Sequence, residues 1–195
     1  MKLYYSPGAC SLASHIALHD ADMKFDLVKV DLKSHKLQDG SPYTDINPKG
    51  YVPALQLDDG ELLTENVAIL SYIADQDPAL MPSGPFGRYR LLEMLGYLSS
   101  ELHKAFHPLF DPKASEEEKK NARAAVEKKL DFIARGFVGP YLFGPHPTVA
   151  DNYLFVMLMW AAQMKLSIPE KLQTFSEHMR ARPTVHIALK HEGLN

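Results

Sequence analysis

Three prolines and two glycines fall within the eleven residues Asp77–Gly87. No helix or strand runs through such a stretch, so the chain divides there. The two sides have different hydrophobic periods. Before the break, short apolar runs alternate with helical patterns. After it, every apolar pattern has the helical period. The expected division is residues 1–77, a linker over 78–87 and residues 88–195.

In the first part, Met1–Tyr5 predicts a strand, and Ser6-Pro7-Gly8 breaks it. Ala9, Leu12, Ala13, Ile16 and Ala17 then mark one helix face. Phe25–Asp31 predicts a second strand, giving a strand–helix–strand unit and hence a parallel pair. The polar stretch from Lys33 to Gly50 predicts a loop with a short helix. Val52–Leu57 and Glu61–Leu63 predict two antiparallel strands around Asp58-Asp59-Gly60. Val67, Leu70, Ile73 and Ala74 predict a third helix with Thr64 as N-cap.

In the second part, Arg88–Phe110 predicts one long helix, kinked or ended by Pro108. Ser115–Glu118 and Thr148–Asp151 are capping boxes opening two more helices. From Tyr153 to Ala162 the sequence is apolar all round, which predicts a buried central helix. Leu172, Phe175 and Met179 mark a further helix, and a short one follows Pro183.

Composition excludes several classes. The net charge of −3 gives no basic field for nucleic acid. The ten-residue apolar run at 153–162 is too short to span a bilayer, and no signal peptide opens the chain. One cysteine excludes an internal disulfide framework and a cysteine-rich zinc site, and fits a cytoplasmic setting. His103 and His107 are four apart, but Lys104 stands where a metalloprotease motif has glutamate and no third ligand is evident, so no metal is expected.

That one cysteine, Cys10, falls in the first turn of the first helix. Unpaired amides and the helix dipole favour a thiolate there, so the residues alone predict a lowered thiol pKa. A buried structural cysteine is the competing reading.

Tyr5–Leu12, Asn47–Leu55, Leu63–Ile69, Glu101–Lys104 and Thr148–Asp151 occur in an order that resembles the cytosolic glutathione S-transferases, bacterial beta class. The resemblance covers essentially the whole chain. It implies a thioredoxin-like α/β N-terminal domain, an all-α C-terminal domain and a homodimer. Glutathione would be the cosubstrate, with no tightly bound cofactor and a small apolar electrophile as the other substrate. It implies that Cys10 and His103 are catalytic, Cys10 facing the glutathione sulfur and His103 approaching it across the cleft. Ser11 would be a neighbouring donor or a backbone cap. Tyr5 is expected to pack.

The resemblance also implies a cis bond at Val52-Pro53, presenting the Val52 backbone to the ligand. Glu65 would pair with the ligand's α-amino group, and the Asn66 side chain and nearby amides with its carboxylate. Ser100 and Glu101 would contribute further contacts. His35 stands where the class commonly has lysine, and would hold the glycyl carboxylate with Lys33 or Lys36 as substitutes. Gly96 stands where relatives can carry a polar side chain. Two other readings stay open: a thiol–disulfide reductase working through a Cys10 mixed disulfide, and a non-catalytic ligand-binding protein on the same fold.

Overall fold

The computed structural model describes residues 1–194. The first part holds β1 (Lys2–Tyr5), α1 (Ser11–Asp20), β2 (Asp26–Asp31), β3 (Lys36–Leu37), β4 (Ala54–Gln56), β5 (Leu62–Thr64) and α2 (Asn66–Gln76). The sheet order is β3-β2-β1-β4-β5. β1 runs parallel to β2, with Leu3 opposite Leu27, and antiparallel to β4, with Leu3 opposite Leu55. This is the thioredoxin-like mixed sheet expected.

Two local readings are corrected. The polar segment after β2 holds a 3-10 turn at Tyr43–Asp45, but also the unexpected two-residue strand β3. So short a pairing leaves no period to read. Thr64 does not cap α2: it closes β5 opposite Ala54. The N-cap is Glu65, held at φ +70° with no side-chain capping bond.

The second part holds α3 (Gly87–Tyr97), a π-helical stretch (Leu98–His103), α4 (His107–Phe110), α5 (Glu116–Gly136), α6 (Val149–Gln163), α7 (Glu170–Arg180) and α8 (Pro183–Glu192). The single helix expected over 88–110 is therefore three pieces. Pro108 has no N–H to return to Lys104, and its ring crowds that carbonyl, so the ladder fails one turn before it. The wider π turn sits immediately upstream, a deviation found often at functional sites.

Both capping boxes form. Ser115 Oγ accepts from the Glu118 amide at 3.2 Å. The buried Asp151 carboxylate accepts from the Thr148 amide, the Thr148 hydroxyl and the Leu142 amide at 2.7–2.8 Å. It fixes the start of α6, which is buried continuously from Val149 to Leu158 as its composition predicts.

α1 is enclosed all round, not on one face: every residue from Ser11 to Leu18 is buried, with α2, α6 and α8 packed around it. Asp20 at its end pairs with Arg182 at 2.7 Å and accepts from Asn152 at 2.9 Å. The loop before α1 is held equally firmly. Trp160 Nε1 donates to the Gly8 carbonyl at 2.8 Å, and the Gly8 amide donates to Glu192 at 2.9 Å. Helices of the second part thus set the position of the first helix of the other. Among the described residues, no helix is long and apolar enough to cross a membrane.

Candidate active site

A cleft of about 700 Å3 lies between the two parts. One wall is the Ser6–Cys10 loop, the Val52-Pro53 junction and Thr64–Asn66 at the start of α2. The other is built from Ser99, His103, His107, Phe110, Tyr153 and Trp160.

The turn Ser6–Ala9 places Cys10. The Ala9 amide returns to the Ser6 carbonyl at 3.0 Å, and Gly8 takes φ +70°, where a side chain is disfavoured. Cys10 then caps α1 and is partly buried. Its thiol donates to the Val52 carbonyl at 3.2 Å, and the Val52-Pro53 bond is cis. The lowered thiol pKa expected from the helix terminus is not found. Burial pushes the thiol up to about 12, against the pull of the Cys10 and Ser11 amides, and the Glu65 carboxylate adds to the rise. Desolvation wins because the sulfur is enclosed, whereas the helix-end effect is fully expressed only where the thiolate can be solvated or paired.

The α2 terminus is the second feature of this wall. Glu65 carries no capping bond, and its exposed carboxylate pairs with Lys49 Nζ at 2.7 Å. Asn66 is placed differently from expectation. Its side chain is buried and turned inward, donating to the Cys10 carbonyl at 2.8 Å and accepting from Ser14 Oγ at 2.8 Å. What Asn66 offers the cleft is backbone.

From the opposite wall comes His103, at the end of the π turn. Its Nδ1 lies 2.7 Å from the Tyr153 hydroxyl, and the rings of Trp160 and His107 pack at 5.0 and 5.7 Å. Enclosure by these rings, and then the neighbouring His107, bring its pKa down to about 4. The imidazole is neutral near pH 7.

Four expected residues lie elsewhere. Ser11 is fully buried and exchanges hydrogen bonds with the Ser6 backbone, so it is the backbone cap and not a donor to the cleft. His35 is exposed, with its ring stacked over Gly50; Lys49 occupies the cleft edge instead. The Ser100 hydroxyl donates to the Gly96 carbonyl at 2.9 Å, and Glu101 pairs with Lys129 at 2.6 Å; both are exposed and outside the cleft. Open space surrounds Gly96. Tyr5 packs, as expected, with its ring beside His15.

Sequence reasoning missed Lys49, Tyr153 and Trp160. Lys49 stood within a motif already singled out at Asn47–Leu55. The other two lie in a helix whose uniform apolarity hides which side meets a cleft.

The glutathione S-transferase N-terminal domain family matches residues 1–75 and the C-terminal domain family residues 97–183. The chain is 48% identical to the glutathione S-transferase GstA of Escherichia coli O157:H7, covering all of both chains. Two solved structures superpose over their full length. One is a sphingomonad glutathione S-transferase complexed with glutathione, at 48% identity and a TM-score of 0.93. The other is a bacterial beta-class glutathione S-transferase from Sphingomonas chungbukensis, at 48% identity and a TM-score of 0.94.

Proposed function

This chain belongs to the glutathione S-transferase family, and from that premise we propose how its own residues carry out conjugation. The observation that carries the reading is convergence on one cleft: an enclosed neutral thiol, an uncapped helix terminus with a carboxylate beside it, and a neutral imidazole opposite.

Glutathione binds along the first wall. Its γ-glutamyl carboxylate takes the free amides at the start of α2, where the helix dipole favours an anion. Its ammonium takes Glu65. The Val52 amide pairs with the cysteinyl backbone. The peptide's sulfur comes to rest between Cys10 and His103. Cys10 stays un-ionised and is not a thiolate of its own; when the peptide binds, its one S–H turns from the Val52 carbonyl to donate to that sulfur. His103 accepts the thiol proton or donates to the thiolate. The sulfur then attacks a small apolar electrophile held against Phe110, Trp160 and His107. The new S–C bond forms as the leaving group departs with its electron pair. Positioning and thiolate stabilisation supply the acceleration.

The thiol–disulfide reading needs Cys10 as nucleophile, and a thiol raised to about 12 disfavours it. The assembly is a homodimer in the cytoplasm on this reading. Tyr51, Phe86 and Tyr89 are exposed aromatics suited to a buried contact. Ser100 and Glu101 lie outside their own cleft, so any contact they make to glutathione would be in the other copy's cleft. The functional division is 1–77 for glutathione and 88–195 for the electrophile, with 78–87 between them.

The test pairs calorimetric binding of glutathione with conjugation of an aryl halide. Binding with conjugation supports the proposal. A reversible glutathione adduct on Cys10 by intact mass, without conjugation, would favour the reductase. Neither result in a folded protein would leave the ligand-binding reading.

A further inference from the structure

Behind α1, away from the cleft, three histidines converge. His15 and His19 are one helical turn apart on α1, and α8 brings His191 to them. One ring nitrogen from each lies within 4.8 Å of the other two. The ring centroids are 5.1, 5.6 and 5.8 Å apart. Among the described residues this is the one such group of three or more ligand side chains.

The packing leaves donor atoms unused. His15 is fully buried, and its Nδ1 meets Glu192 Oε1 at 2.9 Å. With Nδ1–H donating to that carboxylate, Nε2 of a neutral ring presents a lone pair. That Nε2 is buried and has no hydrogen-bond partner, and the same is true of His19 Nε2. Two orphaned buried imidazole nitrogens in one place are costly unless something accepts their lone pairs.

We propose that His15, His19 and His191 bind one divalent transition-metal ion of borderline softness, such as Zn2+. Three imidazoles suit zinc, cobalt, nickel or copper over magnesium or calcium, which prefer oxygen. Glu192 supplies the carboxylate that orients His15, the usual support behind a metal-bound imidazole. A zinc–nitrogen bond is about 2.0–2.1 Å, so tetrahedral ligands sit roughly 3.4 Å apart. The nitrogens must close by up to about 1.4 Å, and His191 is exposed. Its open side is the entry path, and water fills the fourth position. The ion would clamp α8 to α1. Because Glu192 also accepts from the Gly8 amide, the clamp is tied to the loop that carries Cys10.

The experiment uses untagged, chelator-treated protein titrated with Co2+ and Zn2+. One equivalent of Co2+ should give visible tetrahedral bands with no sulfur-to-cobalt charge transfer, and Zn2+ should raise the melting temperature. His191→Ala, at an exposed position, and His19→Gln should each lower affinity by at least about tenfold, as loss of even a supporting group does at metal sites. Binding unchanged in His191→Ala would overturn the proposal. So would a sulfur charge-transfer band, which would put the metal on Cys10, or no binding by the folded wild-type protein.

Discussion

The Tyr153 hydroxyl lies 2.7 Å from Nδ1 of His103, joining the buried helix α6 to the end of the π turn. The contact fixes the imidazole and leaves Nε2 for the cleft. Burial brings the His103 pKa to about 4, so its charge does not change near neutrality. The ratio of wild-type to His103→Gln kcat/KM should therefore stay constant from about pH 5 to 8, with the variant slower by about 100-fold or more in kcat. A ratio that titrates with a midpoint near 6.5 would mean an imidazolium at work, and would contradict the enclosed geometry. Tyr153→Phe should lower kcat more than it raises KM, since it frees the ring without removing it.

The same burial makes stability depend on pH. His103 and His19 have folded pKa values of about 4, below about 6.5 in an unfolded chain. Above 6.5 both states are neutral and nothing changes. Between 6.5 and 4 the unfolded chain binds protons that the fold refuses, so stability falls as pH falls. For His103 the loss by pH 5 is about 1–2 kcal/mol, allowing for its partial exposure. Melting temperatures of metal-free protein from pH 7 to 5 should decline, and His103→Gln should flatten the slope.

Cys10 should be a slow thiol. With its pKa near 12, its alkylation by iodoacetamide should rise about tenfold per pH unit up to pH 9, without a plateau. A plateau near neutral pH would show that the helix terminus outweighs burial after all. Cys10→Ser keeps a donor at the Val52 carbonyl and should conjugate within about tenfold of wild type. Cys10→Ala should be slower, because the donor is gone.

The local patterns that were legible are those set by neighbours in the chain. The two capping boxes, the buried α6 and the strand–helix–strand start follow from spacing alone. The other differences have two sources: a break that apolar spacing does not mark, and contacts from distant segments. The sequence predicts a kink or end at Pro108 itself, and the break one turn upstream leaves no mark on apolar spacing. Cys10 sits at a helix end as its spacing predicts, but enclosure, aided by the Glu65 carboxylate 55 residues on, raises its proton affinity. Spacing puts Asn66 at the start of α2, yet its side chain turns toward Ser14, a direction spacing does not encode. The histidine triad is invisible for the same reason: His191 is 172 residues after His19 and meets it only when α8 docks.

Asn66 should matter first for stability. Its amide nitrogen serves the Cys10 carbonyl and its oxygen serves Ser14 inside the protein. Asn66→Ala strands both partners, at roughly 1–3 kcal/mol in denaturant unfolding. Asn66→Asp keeps the acceptor for Ser14 but sets an oxygen against the Cys10 carbonyl, and should be no better. If Asn66→Ala lost glutathione affinity with unfolding unchanged, the side chain would be a ligand contact and the inward geometry would not describe the working enzyme.

Glu65 sets stability against function. A non-glycine residue at φ +70° is strained by about 1–3 kcal/mol. Its carboxylate makes only an exposed pair with Lys49, which contributes little. Little in the fold therefore repays the strain, and on the proposed reading the carboxylate exchanges Lys49 for the ligand's ammonium. Glu65→Gln keeps the backbone and removes the charge, so glutathione should bind about 10- to 100-fold more weakly, the loss of one charged hydrogen bond, with unfolding unchanged. Glu65→Gly should lose the same affinity while the protein becomes at least as stable as wild type, because glycine accepts this φ without strain. Calorimetry and denaturant unfolding on both variants separate the two effects. A Gln variant that binds glutathione normally would remove Glu65 from the site, and a Gly variant that is destabilised would show that its carboxylate holds the fold.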